Sequence, residues 1–229
     1  MARRSQGRLA TLVGAGILVT RVLGFVRERV FAHFFGTGIE ADAWGAALRI
    51  PNVIRNLLGE GTLSASFIPV YAGMIERGET ERARRLAGTI ASVLVLLTAA
   101  AALVGIALAP VITDFVAPGF SGSQRDLTVT LVRILFPMSG ALILSAWCLG
   151  ILNTHRRFFL AYAAPAMWNI AQIATLLALG GYLLGAPLAV AVAWGAVAGS
   201  ILQIAVQLPA VFKRSGRIEW RSRASLTRN

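Results

Sequence analysis

Arg21, Arg27, Glu28 and Arg29 fall within nine residues of the stretch TRVLGFVRERV (Thr20–Val30), and the chain on either side is apolar enough for a bilayer interior. Further along, Arg49, Asn52 and Arg55 recur at i, i+3 and i+6, which draws one slanting polar stripe along a helix. A guanidinium is a planar fork that grips phosphate oxygens through parallel hydrogen bonds. Arginines lining a water-filled cavity between two membrane helices would therefore receive a large anionic headgroup such as a diphosphate. An arginine at the bilayer centre costs roughly 2.5–3.5 kcal/mol, whereas a leucine or isoleucine returns only about 0.3–0.6 kcal/mol. Such residues face a bundle interior or an aqueous space.

A plainer alternative pairs the charges internally: Arg21 with Glu28, Arg55 with Glu60, Arg49 with Asp42. It cannot cover the whole set, because arginines outnumber acids there. Arg29, near a span end, can snorkel. Arg133 reads as a buried or interfacial partner before it reads as a cavity residue. Arg21 and Glu28 are seven apart, hence on one face. Gly24 is read as a break that re-aims Arg27, and Pro51 as an interruption of the second helix, so both are hinge candidates. Interrupted helices at a charged midplane point to a transporter site.

The elements that must position these residues are membrane helices. The chain has 229 residues, 56% hydrophobic and 14% charged, with mean hydropathy +0.70. Soluble domains run near about 25% charged. Six apolar stretches meet the length of about 20 residues needed to span a bilayer: Leu9–Phe35, Ala41–Tyr71, Leu86–Val116, Leu127–Leu152, Leu160–Leu184 and Pro187–Phe212. The first two are irregular and the last four read as ordinary spans. No separate signal peptide is expected ahead of the first. The expected fold class is all-α: a polytopic six-helix membrane bundle over 1–212, followed by a basic tail, 213–229.

Basic residues set the orientation. Fifteen lie in the N-terminal tail, the second and fourth connections and the C-terminal tail, against Arg125 alone in the other three connections. That asymmetry predicts both termini on the cytoplasmic side. Most of the +12 net charge is therefore topology, and a nucleic-acid partner is not expected. The tail can touch anionic membrane lipids. One cysteine, Cys148, excludes a disulfide framework. His33 and His155 lie far apart and match no zinc spacing, so neither a metal, a cofactor nor an enzyme is expected. Trp44, Trp147, Trp168 and Trp194 read as packing or interface residues.

The segments TRVLGFVRERVFAHFFGTGIEADAW and LRIPNVIRNLLGEGTLSASFIPVY resemble the N-terminus of the MurJ/MviN family of lipid II flippases, within the multidrug/oligosaccharidyl-lipid/polysaccharide exporter superfamily. APGF (Ala117–Phe120), ILNTHRRF (Ile151–Phe158) and PAMWN (Pro165–Asn169) fit as well. The resemblance implies a transporter of the bacterial inner membrane. It moves lipid II, the undecaprenyl-diphosphate-linked peptidoglycan precursor, from the cytoplasmic to the outer leaflet by alternating access. It also implies that Arg21, Arg27 and Arg55 are cavity arginines and that Glu28, Asp42 and Glu60 serve gating or ion pairing; the helical stripe, not the resemblance, adds Arg49 and Asn52 as substrate-binding candidates beside Arg55. Glu28 stands where relatives often carry Asp, so charge is kept but reach changes. Family members have two six-helix lobes and two further helices. This chain is expected to be an N-lobe, a truncated reading of a longer protein, whose partner is the missing C-terminal lobe. The alternatives are an exporter of another polyprenyl-linked saccharide and a non-transporting membrane subunit.

Overall fold

The computed structural model describes residues 2–215; side chains at 2–10, 12, 60, 62, 64, 214 and 215 stand outside that description. The expectations for Arg3, Arg4 and Arg8, for the Glu60 side chain and for the basic tail beyond Lys213 therefore lie outside it. Among the described residues all regular structure is helical, in agreement with the all-α expectation. The elements are α1 (Ala2–Phe35), α2 (Ile39–Arg55), a π-helical stretch (Asn56–Phe67), α3 (Ile68–Glu76), α4 (Thr80–Ala107), α5 (Ala109–Val116), α6 (Gly122–Thr154), α7 (Phe158–Ala163), α8 (Ala166–Leu179) and α9 (Gly185–Ser215).

Four helical runs among the described residues are long and apolar enough to cross a membrane: Thr80–Ala107, Gly122–Thr154, Phe158–Leu179 and Gly185–Lys213. They overlap the last four expected spans, except that the third of the six, expected to run to Val116, ends at Ala107 and gives way to the separate helix α5. The two other runs, α1 and Ile39–Glu76, carry the arginine-rich segments. Gly36 and Gly78 end α1 and α3 with φ of 54° and 77°, a left-handed turn that a Cβ would strain.

Helix α6 is the central column. In its most apolar window 72% is buried, against 22% for α4, so α6 is enclosed while α4 presents most of its surface outward. The two halves of α6 anchor two apolar clusters. Leu131 and Leu135 meet Phe31 of α1, Trp44 of α2 and Val192 of α9. Ile143, Trp147 and Ile151 meet Tyr71 of α3, Ala87 of α4 and Val211 of α9. Lipid tails are as apolar as leucine, so close contact rather than water exclusion joins such helices. Accordingly α9 meets α8 through small residues. A Cβ on Gly199 would stand 2.8 Å from Ala171 Cβ and 2.9 Å from Trp168 Cα.

Three local expectations need correction. Helix α1 runs unbroken through Gly24, so no interruption re-aims Arg27. Pro51 sits inside α2, which continues to Arg55; the irregularity comes later, where the ladder widens over Asn56–Phe67. This stretch is twelve residues long, longer than the single π turns usual inside α-helices, and it spans the GEG sequence. The fifth span is not ordinary: it is broken between α7 and α8 at Ala164–Pro165. Proline lacks the N–H that would close the helical ladder there.

Candidate functional site

The α7–α8 break leaves backbone carbonyls at the end of α7 in need of donors. Thr20 Oγ1 of α1 donates to the Tyr162 carbonyl at 2.7 Å, and Asn169 Nδ2 of α8 reaches the Thr20 carbonyl at 3.5 Å. These bonds seat α1 against α7 and α8; α1 scarcely touches α2. Two turns further along α1, the Arg27 guanidinium lies over the Trp168 ring, 4.8 Å from its centroid. It donates through Nη1 to Gln172 Oε1 at 3.4 Å and pairs with Glu28 through Nη2. Gln172, fully buried, is held in turn by its own bond to the Trp168 carbonyl at 3.2 Å. The Arg27 side chain is 13% exposed while that of Glu28 is 64% exposed. The pair is thus a buried cation beside a solvent- or lipid-facing acid. Arg27 Nε is buried with no hydrogen-bond partner.

Trp168 is also a wall of a cavity of about 470 Å³, within the range of about 300–1,000 Å³ of small-molecule sites. Its polar lining is Thr20, Arg55, Ser145, Asn169 and Gln203, with Pro165 of the helix break beside them. Arg55 Nη2 donates to Asn56 Oδ1 at 3.2 Å. The cavity therefore collects side chains from α1, α2, α6, α8 and α9, with one guanidinium in its wall and a second stacked on its tryptophan.

The remaining expected residues are distributed elsewhere. Arg49 donates to the carbonyl of Val116 at 3.0 Å, satisfying the last residue of α5, and is not paired with Asp42. Asp42 is exposed in the first turn of α2, where a carboxylate complements the helix dipole. Asn52 is half-buried and does not line the cavity. Arg21 is exposed, and Glu28 pairs with Arg27 instead of with it. Arg133, expected to be buried or interfacial, is exposed, which removes the first of those two placements, and Arg29 lies over Phe25, 5.5 Å from the ring centroid. The reason is geometric. Arg21 and Arg27, like Arg49 and Arg55, are six residues apart, which on an unbroken helix turns them about 120° from each other. Only one of each pair can face the cavity.

Sequence reasoning missed the uncharged polar lining, Thr20, Ser145, Asn169 and Gln203, and Gln172, which holds Arg27 beside it. The signal was present as amides at helical spacing inside apolar runs, Asn169 with Gln172 and Gln203 with Gln207.

Residues 31–228 match the family described as lipid II flippase MurJ. The chain is 36% identical over 225 residues to a probable lipid II flippase MurJ of Rhizobium meliloti, covering 95% of this chain and 41% of that protein. It is 35% identical over 208 residues to the lipid II flippase MurJ of Burkholderia cenocepacia, covering 90% and 40%. A solved structure of lipid II flippase MurJ in an inward closed conformation superposes with a TM-score of 0.73 at 25% identity, over 89% of this chain and 42% of that one. The chain thus spans about two fifths of the length of the curated relatives it matches.

Proposed function

The chain belongs to the lipid II flippase MurJ family, and we propose that it forms the N-terminal six-span lobe of such a flippase, with residues 213–229 leading toward a second lobe. Its cargo is lipid II, moved from the cytoplasmic to the outer leaflet of the bacterial inner membrane by alternating access, with both termini cytoplasmic. It is a transporter lobe and not an enzyme. The single observation that carries this reading is an amide-lined cavity among membrane helices walled by Arg55 and Trp168, with Arg27 stacked on that tryptophan. Two guanidinium groups kept at that site are costly unless an anion uses them, and their fork geometry suits a diphosphate. Arg21, on the exposed side of α1, would meet the headgroup from the face turned toward the second lobe. Arg49, Asn52 and Asp42 would act away from the cavity along α2 and Glu60 from the π stretch, and Gly24 and Pro51 would flex only during switching.

Joined to the C-terminal remainder of the Burkholderia cenocepacia relative, the chain should restore growth of a flippase-depleted cell. Arg21→Ala, Arg27→Ala and Arg55→Ala should each abolish growth while the protein stays in the membrane. Normal growth with all three replaced would sink the proposal. Orientation is read separately with cysteines introduced at Arg84 and Gly119, since Cys148 is buried. An impermeant maleimide applied to intact cells should label the second position only; labelling of the first would reverse the assigned topology.

A further inference from the structure

One hydroxyl between α6 and α9 serves two carboxamides. Ser145 Oγ donates to Gln207 Oε1 at 2.8 Å and accepts from Gln203 Nε2 at 2.6 Å. Gln203 Oε1 and Gln207 Nε2 are left buried with no hydrogen-bond partner. Exchanging the oxygen and nitrogen ends of either amide does not remove the deficit. A serine offers a single proton, and each glutamine can turn only one of its two polar atoms toward it. Unsatisfied buried amides are rare in folded proteins and call for a reason.

For Gln203 the reason is its position. The residue is 5% exposed, and it lines the same cavity as Arg55 and Trp168. A guanidinium and a carboxamide with one end unpartnered on one cavity ask for a ligand that carries a phosphate group and, beside it, a neutral hydrogen-bonding group. A lipid diphosphate alone meets only the first demand. A sugar attached to that diphosphate meets both, because a hydroxyl donates and accepts and so satisfies either end of the amide.

We infer that Gln203, oriented by Ser145, is the contact for the first sugar of a diphosphate-linked cargo, while Arg55 takes the diphosphate. The inference rests on the cavity being the cargo site proposed above, and it adds a specificity residue on α9. Gln207 holds Ser145 from the far side and acts as a positioning residue.

The test uses the whole chain in lipid nanodiscs and two probes: a polyprenyl diphosphate, and the same molecule bearing one N-acetylated hexose. Their dissociation constants are measured by titration. The unmodified chain should prefer the sugar-bearing probe by about 10-fold, the worth of one well-made hydrogen bond. In Gln203→Leu that preference should fall to within about twofold of unity. Gln203→Asn, which keeps the amide but shortens its reach, should lose most of the preference and serves if the leucine variant fails to fold. Arg55→Ala should weaken both probes alike. A preference that survives in both Gln203 variants overturns the inference, and water then satisfies the amide. Binding of both probes with no preference in the unmodified chain overturns it too, yet leaves the cavity as a diphosphate site. Failure of the unmodified chain to bind either probe removes the cargo reading itself.

Discussion

The α6–α8–α9 wall and the α1–α2 pair solve the membrane problem in opposite ways. In the wall, α9 comes close enough to α8 that Gly199 has no room for a side chain, and α6 is mostly enclosed. In the pair, α1 and α2 scarcely meet. Helix α1 is seated by polar contacts to the α7–α8 break, through Thr20, Arg27 and their partners. Packing in the wall fixes where Trp168, Asn169 and Gln172 stand. The charged pair then hangs its functional groups on those fixed points. The difference teaches a division of labour: substitutions in the wall, and on the apolar face of α2 packed against α6, should cost the fold, whereas substitutions of the charged groups of the pair should cost binding.

The largest expected effect is Gly199→Leu. Its Cβ would be pressed against Ala171 Cβ and the Trp168 backbone, so α8 must move away from α9. Overpacking of this kind costs about 3 kcal/mol, on the order of 6–12 °C in melting temperature for a chain of this size. Thermal unfolding in detergent, followed by far-ultraviolet circular dichroism, measures it. Binding should fail as well, since Trp168 moves with α8. A variant that melts like the unmodified chain would mean that small-residue packing does not set the position of the site.

The second expected effect has the reverse pattern. Arg27→Met removes a cation that is buried at a desolvation cost, so stability should stay within about 1 kcal/mol or rise. Glu28, largely exposed, loses little by being left alone. Affinity for a polyprenyl diphosphate should nevertheless drop at least about tenfold, as expected when a charged hydrogen-bonding partner is lost. Arg27→Lys should rescue little. A lysine keeps the charge but cannot both stack flat on Trp168 and fork toward Gln172 and a phosphate. Full rescue by lysine would reduce the role of Arg27 to charge alone.

How much of this was legible follows from what each signal measures. Apolar runs longer than a bilayer's width are hard to hide, so the all-α class and the last four spans were readable. The α7–α8 break was not, although Pro165 is plain in the sequence, because hydropathy averaged over a span is blind to a single missing N–H. The π stretch escaped for another reason: NLLGEGTLSASF mixes small and polar residues, and no periodicity survives in it to betray a widened turn. The Arg49–Asn52–Arg55 stripe was read correctly as slanting, yet its consequence was not drawn; the slant carries Arg49 to α5 and leaves Arg55 at the cavity. The amides were overlooked because charge was used to mark intramembrane function. A glutamine costs less to bury than an arginine and leaves only a shallow trace in the hydropathy. It is found only by asking which polar residues recur at helical spacing.

The smallest effect is expected where neither half of the comparison applies, at the turn joining α3 to α4. The Glu79 carboxylate accepts hydrogen bonds from Arg77 Nε at 2.7 Å and Arg82 Nη1 at 3.1 Å. Those bonds, that from Arg77 first, stabilise the ionised form and hold its pKa below the ordinary carboxylate range. A lowered folded value means that the stabilisation is complete above the unfolded value of about 4.3 and is lost as pH falls through the lowered one. At neutral pH the cluster is fully ionised but open to solvent, where salt screens it. Glu79→Gln should therefore leave the melting temperature nearly unchanged at neutral pH. Any small deficit should shrink with added salt, and should close as the pH drops below the folded value and the unmodified chain loses the same interaction. A deficit at neutral pH as large as that of Gly199→Leu would place a structural keystone in the connection. The division between a packed wall and a polar pair would then no longer account for where this chain keeps its stability.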